Sequence, residues 1–303
     1  EVTLTNGANW TGANTGDEAT IYVDGGIWEG ANTGDDAQIN MSGNANWKGN
    51  SEGKGAKITL GSPKRMRTFR LRSTGPVWEG HNSGDDTELV IGTGASWIGN
   101  NIGGNIKVEG DIDGLWQGDN AGTVTVDGIT WNGNNLINAT ATVGSGAWVG
   151  NNFGTATFNG GSWTGNNVEN GTVTVNATGW DGNNAGAGSV ELKADWSGNN
   201  TANGSVTLNG GTWSGNNTGE SAIVSGTNGK WTGDNRGTIT VKGITWEGEN
   251  LTEGSVTLDD GTWTGANSGI ANIEGGKWTG TNAATTNLLA GEWTGVNTGT
   301  AIV

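Results

Sequence analysis

The sequence predicts an all-β protein, a parallel β-solenoid (β-helix) of about 17–18 short coils with internal Trp and Val/Ile ladders and Asn-rich turns. Three observations predict it. Seventeen Trp residues recur along the 303-residue chain at nearly constant intervals. Short Thr/Val segments of period two lie between them. The chain also holds 60 Gly but only 2 Pro, so tight turns recur often without any proline-rich linker. A disordered Gly-rich chain would have no use for so many indoles.

Every Trp opens the motif Trp-x-Gly-x-Asn, with one lapse at Trp47, where Ser51 takes the place of Asn. The set is Trp10, Trp28, Trp47, Trp78, Trp97, Trp116, Trp131, Trp148, Trp163, Trp180, Trp196, Trp213, Trp231, Trp246, Trp263, Trp278 and Trp293. Successive intervals are 15 to 19 residues, except for 31 between Trp47 and Trp78, as though one unit had lost its Trp. The intervening strands include Thr123-Val124-Thr125-Val126, Thr172-Val173-Thr174-Val175, Ser205-Val206-Thr207-Leu208 and Thr238-Ile239-Thr240-Val241. Alternation points Val124 and Val126 inward and Thr123 and Thr125 outward. After a Gly turn, Ile129-Thr130-Trp131 places Ile129 and Trp131 on one face. Gly133-Asn134-Asn135 then supplies residue types that tolerate a left-handed turn.

Each unit therefore reads as strand, turn, Trp strand, Asn turn. One unit cannot bury its apolar face, but stacked copies can. Parallel stacking sets like residue on like, giving ladders of Val/Ile, Trp, Thr and Asn. With a rise of about 4.8 Å per coil, the expected rod is roughly 80–90 Å long. The repeat runs without a linker, so a single domain over residues 1–303 is expected. It is interrupted at about 52–77 by a basic insertion or a Trp-less coil.

The ladders carry the candidate chemistry. Strand phase places the Trp in the core rather than on an exposed sugar-binding platform. Stacked Asn amides are expected to bond to one another and to turn backbone. Three turns, Asn14 to Glu18, Asn32 to Asp36 and Asn82 to Asp86, are oxygen-rich, but their spacing matches no EF-hand or nonapeptide calcium repeat. No metal and no cofactor is expected. The Thr rows are similar to those of ice-binding solenoids, yet Glu88, Lys107 and Glu191 interrupt them. Triplets at Asn9, Asn138, Asn176 and Asn250 permit glycosylation in a suitable host. Catalysis is not expected. Cys is absent, the one His, His81, stands where other repeats carry Ala, Asn or Asp, and the paired acids Asp35-Asp36, Asp85-Asp86 and Asp259-Asp260 lie in turns without companions.

The net charge is −16, which argues against nucleic acid or anionic membranes as partners. No apolar run is long enough to span a bilayer. Seven of the 14 basic residues cluster at Lys54, Lys57, Lys64, Arg65, Arg67, Arg70 and Arg72 with no acid among them. Lys64, Arg65, Arg67, Arg70 and Arg72 form a candidate patch for docking an acidic surface, most simply another copy of the chain. The sequence opens in a strand, Glu1 to Leu4, and closes in one, Thr300 to Val303. It reads as a processed chain or a piece of a longer one, whose uncapped ends invite a further coil.

The Trp-x-Gly-x-Asn turns and Gly-Thr-Val-Thr-Val strands resemble those of secreted β-solenoid surface proteins. Autotransporter passenger domains, filamentous-haemagglutinin-like adhesins and self-assembling cell-surface sheath or filament proteins are the families concerned. The resemblance covers nearly all of the chain outside about residues 61–76. It implies export, a place on or around the cell, and action through shape and contact. The expectation is a non-catalytic extracellular structural protein that self-assembles with copies of itself into a fibre, sheath or matrix. The alternatives are an adhesin or carbohydrate-binding passenger rod that contacts glycans or host surfaces, or a polysaccharide-degrading β-helix enzyme.

Overall fold

The computed structural model describes residues 1–61, 75–177, 179–201 and 203–303. The described residues form strands, turns and bends and contain no helix. They group into two compact units, Glu1–Ser162 and Trp163–Val303, although no change of repeat marks the boundary. The strands pair in parallel with the strands two places away in the chain, so each unit is a parallel β-solenoid. Within each unit, odd-numbered strands build one sheet and Trp-bearing even-numbered strands the other.

In the first unit, β3 (Thr20–Asp24) pairs with β5 (Gln38–Ser42), setting Ile21 on Ile39 and Val23 on Met41. In the other sheet β4 (Ile27–Glu29) pairs with β6 (Asn46–Lys48), setting Trp28 on Trp47. Alternation decides the faces as expected. In β13 (Thr123–Asp127), Val124 and Val126 are buried while Thr123 and Thr125 are exposed. Trp28 to Trp148 are 0–1% exposed, so the indoles lie inside with the Val/Ile rows. The second unit repeats this arrangement. There β23 (Ser205–Leu208) buries Val206 and Leu208, and β24 (Thr212–Ser214) buries Trp213.

The wide interval is resolved by pairing. A unit that had lost its Trp would stand between Trp47 and Trp78. Instead β6 pairs directly with β8 (Val77–Glu79), Trp47 on Trp78. Likewise β5 pairs with β7 (Lys57–Leu60), and β7 with β9 (Glu88–Ile91). The extra residues are thus added chain between β7 and β8 of one coil. The docking patch Lys64, Arg65, Arg67, Arg70 and Arg72 lies outside the described residues.

Each unit also contains a shift that the repeat pattern does not announce. Along β11 (Ile106–Gly110), Val108 and Gly110 pair with Leu89 and Ile91 of the preceding coil. Toward the following coil, however, Ile106 and Val108 pair with Val124 and Val126. The inward pair has moved by two residues. Gly110 permits this, because a Cβ there would stand 1.9 Å from the Ile91 carbonyl oxygen and 3.1 Å from Ile129 Cγ2. β25 (Ala222–Gly226) does the same in the second unit. Val224 and Gly226 meet Val206 and Leu208, whereas Ala222 and Val224 meet Ile239 and Val241. Coils before the first shift carry a longer arc after the Asn, and the Trp interval shortens from 19 to 15 residues just after it.

Exposed ion pairs run between stacked strands, including Lys57 Nζ to Glu88 Oε2 at 3.0 Å and Lys242 Nζ to Asp259 Oδ2 at 2.7 Å. The hydrogen bond and charge of Lys57 hold the Glu88 carboxyl below its ordinary value. The folded-state value is lowered, so the pair stabilises the fold above the ordinary carboxylate range and loses its effect as pH falls through the lowered value. Both partners are about half exposed, which keeps the effect within about 1 kcal/mol. Lys57→Gln should therefore lower the urea midpoint slightly at neutral pH and leave it unchanged in acid. An equal deficit at both pH values would assign the loss to packing instead.

Candidate functional site

The distinctive residues of the repeat converge on the contacts between coils. The first position of the motif forms the Trp column. In the first unit, neighbouring indoles from Trp10 to Trp148 lie 4.5–5.1 Å apart between ring centroids, with interplanar angles of 4–9°. From Trp163 to Trp293 in the second, the separations are 4.6–4.8 Å. A buried indole needs an acceptor for its N–H. The third-position Gly of the coil before supplies it. Trp97 Nε1 donates to the Gly80 carbonyl at 2.9 Å and Trp213 Nε1 to the Gly198 carbonyl at 2.8 Å.

That close approach explains the Gly. At Gly30 (φ +157°) a Cβ would stand 2.1 Å from the Gly12 carbonyl oxygen, and at Gly133 1.8 Å from that of Gly118. Coils cannot pack at this distance with any side chain in the column.

The fifth-position Asn does something other than turn. None of these Asn takes a positive φ. They are joined coil to coil by parallel bridges, from Asn14↔Asn32 to Asn135↔Asn152 in the first unit and from Asn167↔Asn184 to Asn282↔Asn297 in the second. Asn32 and Asn82 to Asn282 are no more than 1% exposed, so their amides depend on hydrogen bonds within the protein. Between stacked Asn residues the Nδ2 donates to the Oδ1 of the next coil, as from Asn101 to Asn120 and from Asn184 to Asn200, both at 2.8 Å. The same Nδ2 also reaches turn carbonyls, for example Asn120 to Gly122 at 3.0 Å.

Ser51 interrupts this column. Its Oγ and the Asn82 Oδ1 above it are buried without a hydrogen-bond partner. The hydroxyl is too short to span two coils. Ser51→Asn should rejoin Asn32 to Asn82 and stabilise the protein by about 1–3 kcal/mol, read as a higher midpoint of urea unfolding. A lower midpoint would mean that the site has closed around the smaller side chain.

The fourth motif position forms a second ladder that sequence reasoning missed. Side chains of Asn, Asp or His at this position accept the backbone N–H of the same position one coil on. Asn100 Oδ1 takes Asp119 N–H at 3.0 Å, Asp119 Oδ1 takes Asn134 N–H at 2.7 Å, and Asn216 Oδ1 takes Asp234 N–H at 2.9 Å. His81 belongs here, because its Nδ1 accepts the Asn100 N–H at 3.0 Å. The available signal was the residue types, Asn, Asp and His, each of which carries an acceptor near the backbone.

The acidic turns are also explained by stacking. Glu18, Asp36 and Asp86 take the left-handed conformation, with φ of 54°, 53° and 55°. Their neighbours cap the coil above, with Asp17 Oδ1 accepting the Asp35 N–H at 3.0 Å and Asp35 Oδ1 the Lys54 N–H at 2.7 Å. Among the described residues, no group of three or more His, Cys, Asp or Glu could hold a metal ion. A groove of about 310 Å³ beside the first shift is lined by Glu109, Asp111, Asp127 and Ser145 among others. Its acids are engaged. Thr93 Oγ1 donates to Asp111 Oδ2 at 2.7 Å, and the Ser145 hydroxyl donates to Asp127. Asp259 pairs with Lys242, and Asp260 Oδ1 accepts the N–H of Gly261.

The fold and these columns define an all-β repeat protein of the parallel β-solenoid class, built on stacked Trp and Asn. No protein-family model, no curated protein and no solved structure matches the chain.

Proposed function

We propose that the chain is a non-catalytic structural protein of the cell exterior that assembles with copies of itself into a fibre, sheath or matrix. The observation that supports this reading most is the equivalence of the coil contacts. Trp on Trp, indole N–H to Gly carbonyl, Asn to Asn and backbone to backbone recur between nearly all stacked coils. A coil face left uncovered in either unit therefore presents a surface that another coil fits, whichever chain supplies it. The repeat resembles secreted solenoids, and that supports the extracellular assignment. The acids of the outer turns, Asp17, Asp35 and Asp85, offer a complement to the basic cluster of Lys64, Arg65, Arg67, Arg70 and Arg72 on a second copy.

Negative-stain electron microscopy over a range of protein and salt concentrations tests the proposal. Fibres, rings or sheets that grow with concentration are the expected result. Separate particles under every condition would sink self-assembly and favour an adhesive module. If the basic cluster docks copies together, neutralising its five residues should reduce assembly and flatten the salt dependence.

A further inference from the structure

We infer that each Trp column conducts one-electron oxidising equivalents along its unit. The inference rests on the columns alone and stands whether or not the chain polymerises. Indole is among the most easily oxidised side chains, and electron exchange between rings requires overlap that decays steeply with separation. In the first unit, eight indoles from Trp10 to Trp148 are joined by seven stacked contacts of 4.5–5.1 Å, with no interruption.

Two further features favour migration over trapping. The sites from Trp28 to Trp148 are nearly identical in energy, because each indole is buried, stacked, and bonded through its N–H to a Gly carbonyl at 2.8–2.9 Å. A backbone carbonyl is a very weak base. An oxidised indole at these sites therefore keeps its proton and remains a radical cation, able to take an electron from its neighbour. The carbonyl dipole directed at the N–H stabilises that cation. Trp10 differs, being half-buried, so water can accept its proton and leave the neutral radical there.

The electron balance is simple. An outer-sphere one-electron oxidant removes an electron from one indole and is itself reduced. Each following step moves one electron between adjacent rings, restoring the first and oxidising the second. At Trp10 the radical cation releases its N–H proton to water.

The chain has no Cys, so Val149→Cys gives a unique attachment point beside Trp148, at an outward position that is 50% exposed. A ruthenium polypyridyl attached there and oxidised by flash-quench with a cobalt(III) ammine takes an electron from the column. A nitroso spin trap then couples to the neutral radical through a new C–N bond, and peptide mass spectrometry locates the adduct. The expected adduct is on Trp10, seven contacts from Trp148. Trp97→Phe keeps a ring in the stack but removes the oxidisable site, and should abolish the Trp10 adduct. Phe158 already stacks on Trp148 at 5.4 Å, so a phenyl ring suits this interior. If Trp97→Phe lacks the parent circular dichroism, Trp116→Phe makes the same gap. Adducts confined to indoles near the label in the parent would overturn the inference. So would a Trp10 adduct undiminished in a folded Phe variant.

Discussion

Gly99→Ala is expected to destabilise the first unit by upward of about 3 kcal/mol, far beyond the usual effect of one added methyl. The new Cβ would stand 1.9 Å from the Gly80 carbonyl oxygen. That oxygen also accepts the Trp97 indole N–H at 2.9 Å, so it cannot move without losing a buried partner. The neighbouring coils would have to separate. Separation stretches the Trp78–Trp97 stack at 5.0 Å, the Asn82–Asn101 amide bond and the backbone ladder together. Gly7→Ala is the informative control. Gly7 has φ +78°, but a Cβ there meets nothing within 4 Å, so the cost should stay near the roughly 1–2 kcal/mol of left-handed backbone strain. Urea unfolding of both variants decides the matter. Similar losses would show that backbone strain, and not coil spacing, dictates the Gly column.

Trp213→Ala should cost about 3–5 kcal/mol in the second unit, in the range for emptying a buried aromatic site. Trp213 is fully buried and stacks on Trp196 and Trp231, both at 4.8 Å. Truncation opens a cavity between two rings and leaves the Gly198 carbonyl without the N–H it accepts at 2.8 Å. Trp213→Phe separates these contributions, since it restores most of the volume and the ring contact but not the donor. The Phe variant should retain well over half of the lost stability. Equal losses for Ala and Phe would make the indole N–H the dominant contribution. The loss should also be local, because a solenoid coil contacts chiefly its neighbours. Hydrogen exchange should quicken most in the coils around Trp196, Trp213 and Trp231.

Much of the candidate site was legible before any coordinates. The Trp column follows from phase: in Thr212-Trp213-Ser214 the indole alternates with hydroxyl side chains, and it is buried while they face out. The column of Asn amides was expected from repetition, but its geometry was not. Asn suggested left-handed turns, whereas the left-handed residues are Glu18, Asp36, Asp86 and others outside the motif's fifth position. An amide surrounded by like amides above and below is stable in extended backbone, and those neighbours are 15 to 19 residues away along most of the chain. The ladder through Asn100, Asp119 and Asn134 escaped notice for a related reason. It links a side chain to the backbone of another coil, a partnership that no local pattern records.

The sequence by itself determined the class of fold, the inward rows and the identity of the columns. These depend on alternation within a strand and on recurrence at a nearly constant interval, both of which are properties of neighbouring residues. Tertiary structure alone decided which coil meets which. It set Trp47 on Trp78 across the widest interval and placed the two-residue shifts at Val108–Gly110 and Val224–Gly226. Parallel strands in successive coils can pair at any even offset without changing which side chains face inward. The register is therefore selected by the fit of whole coils, where a Gly at one strand position and an Ile from the next coil fill the same space.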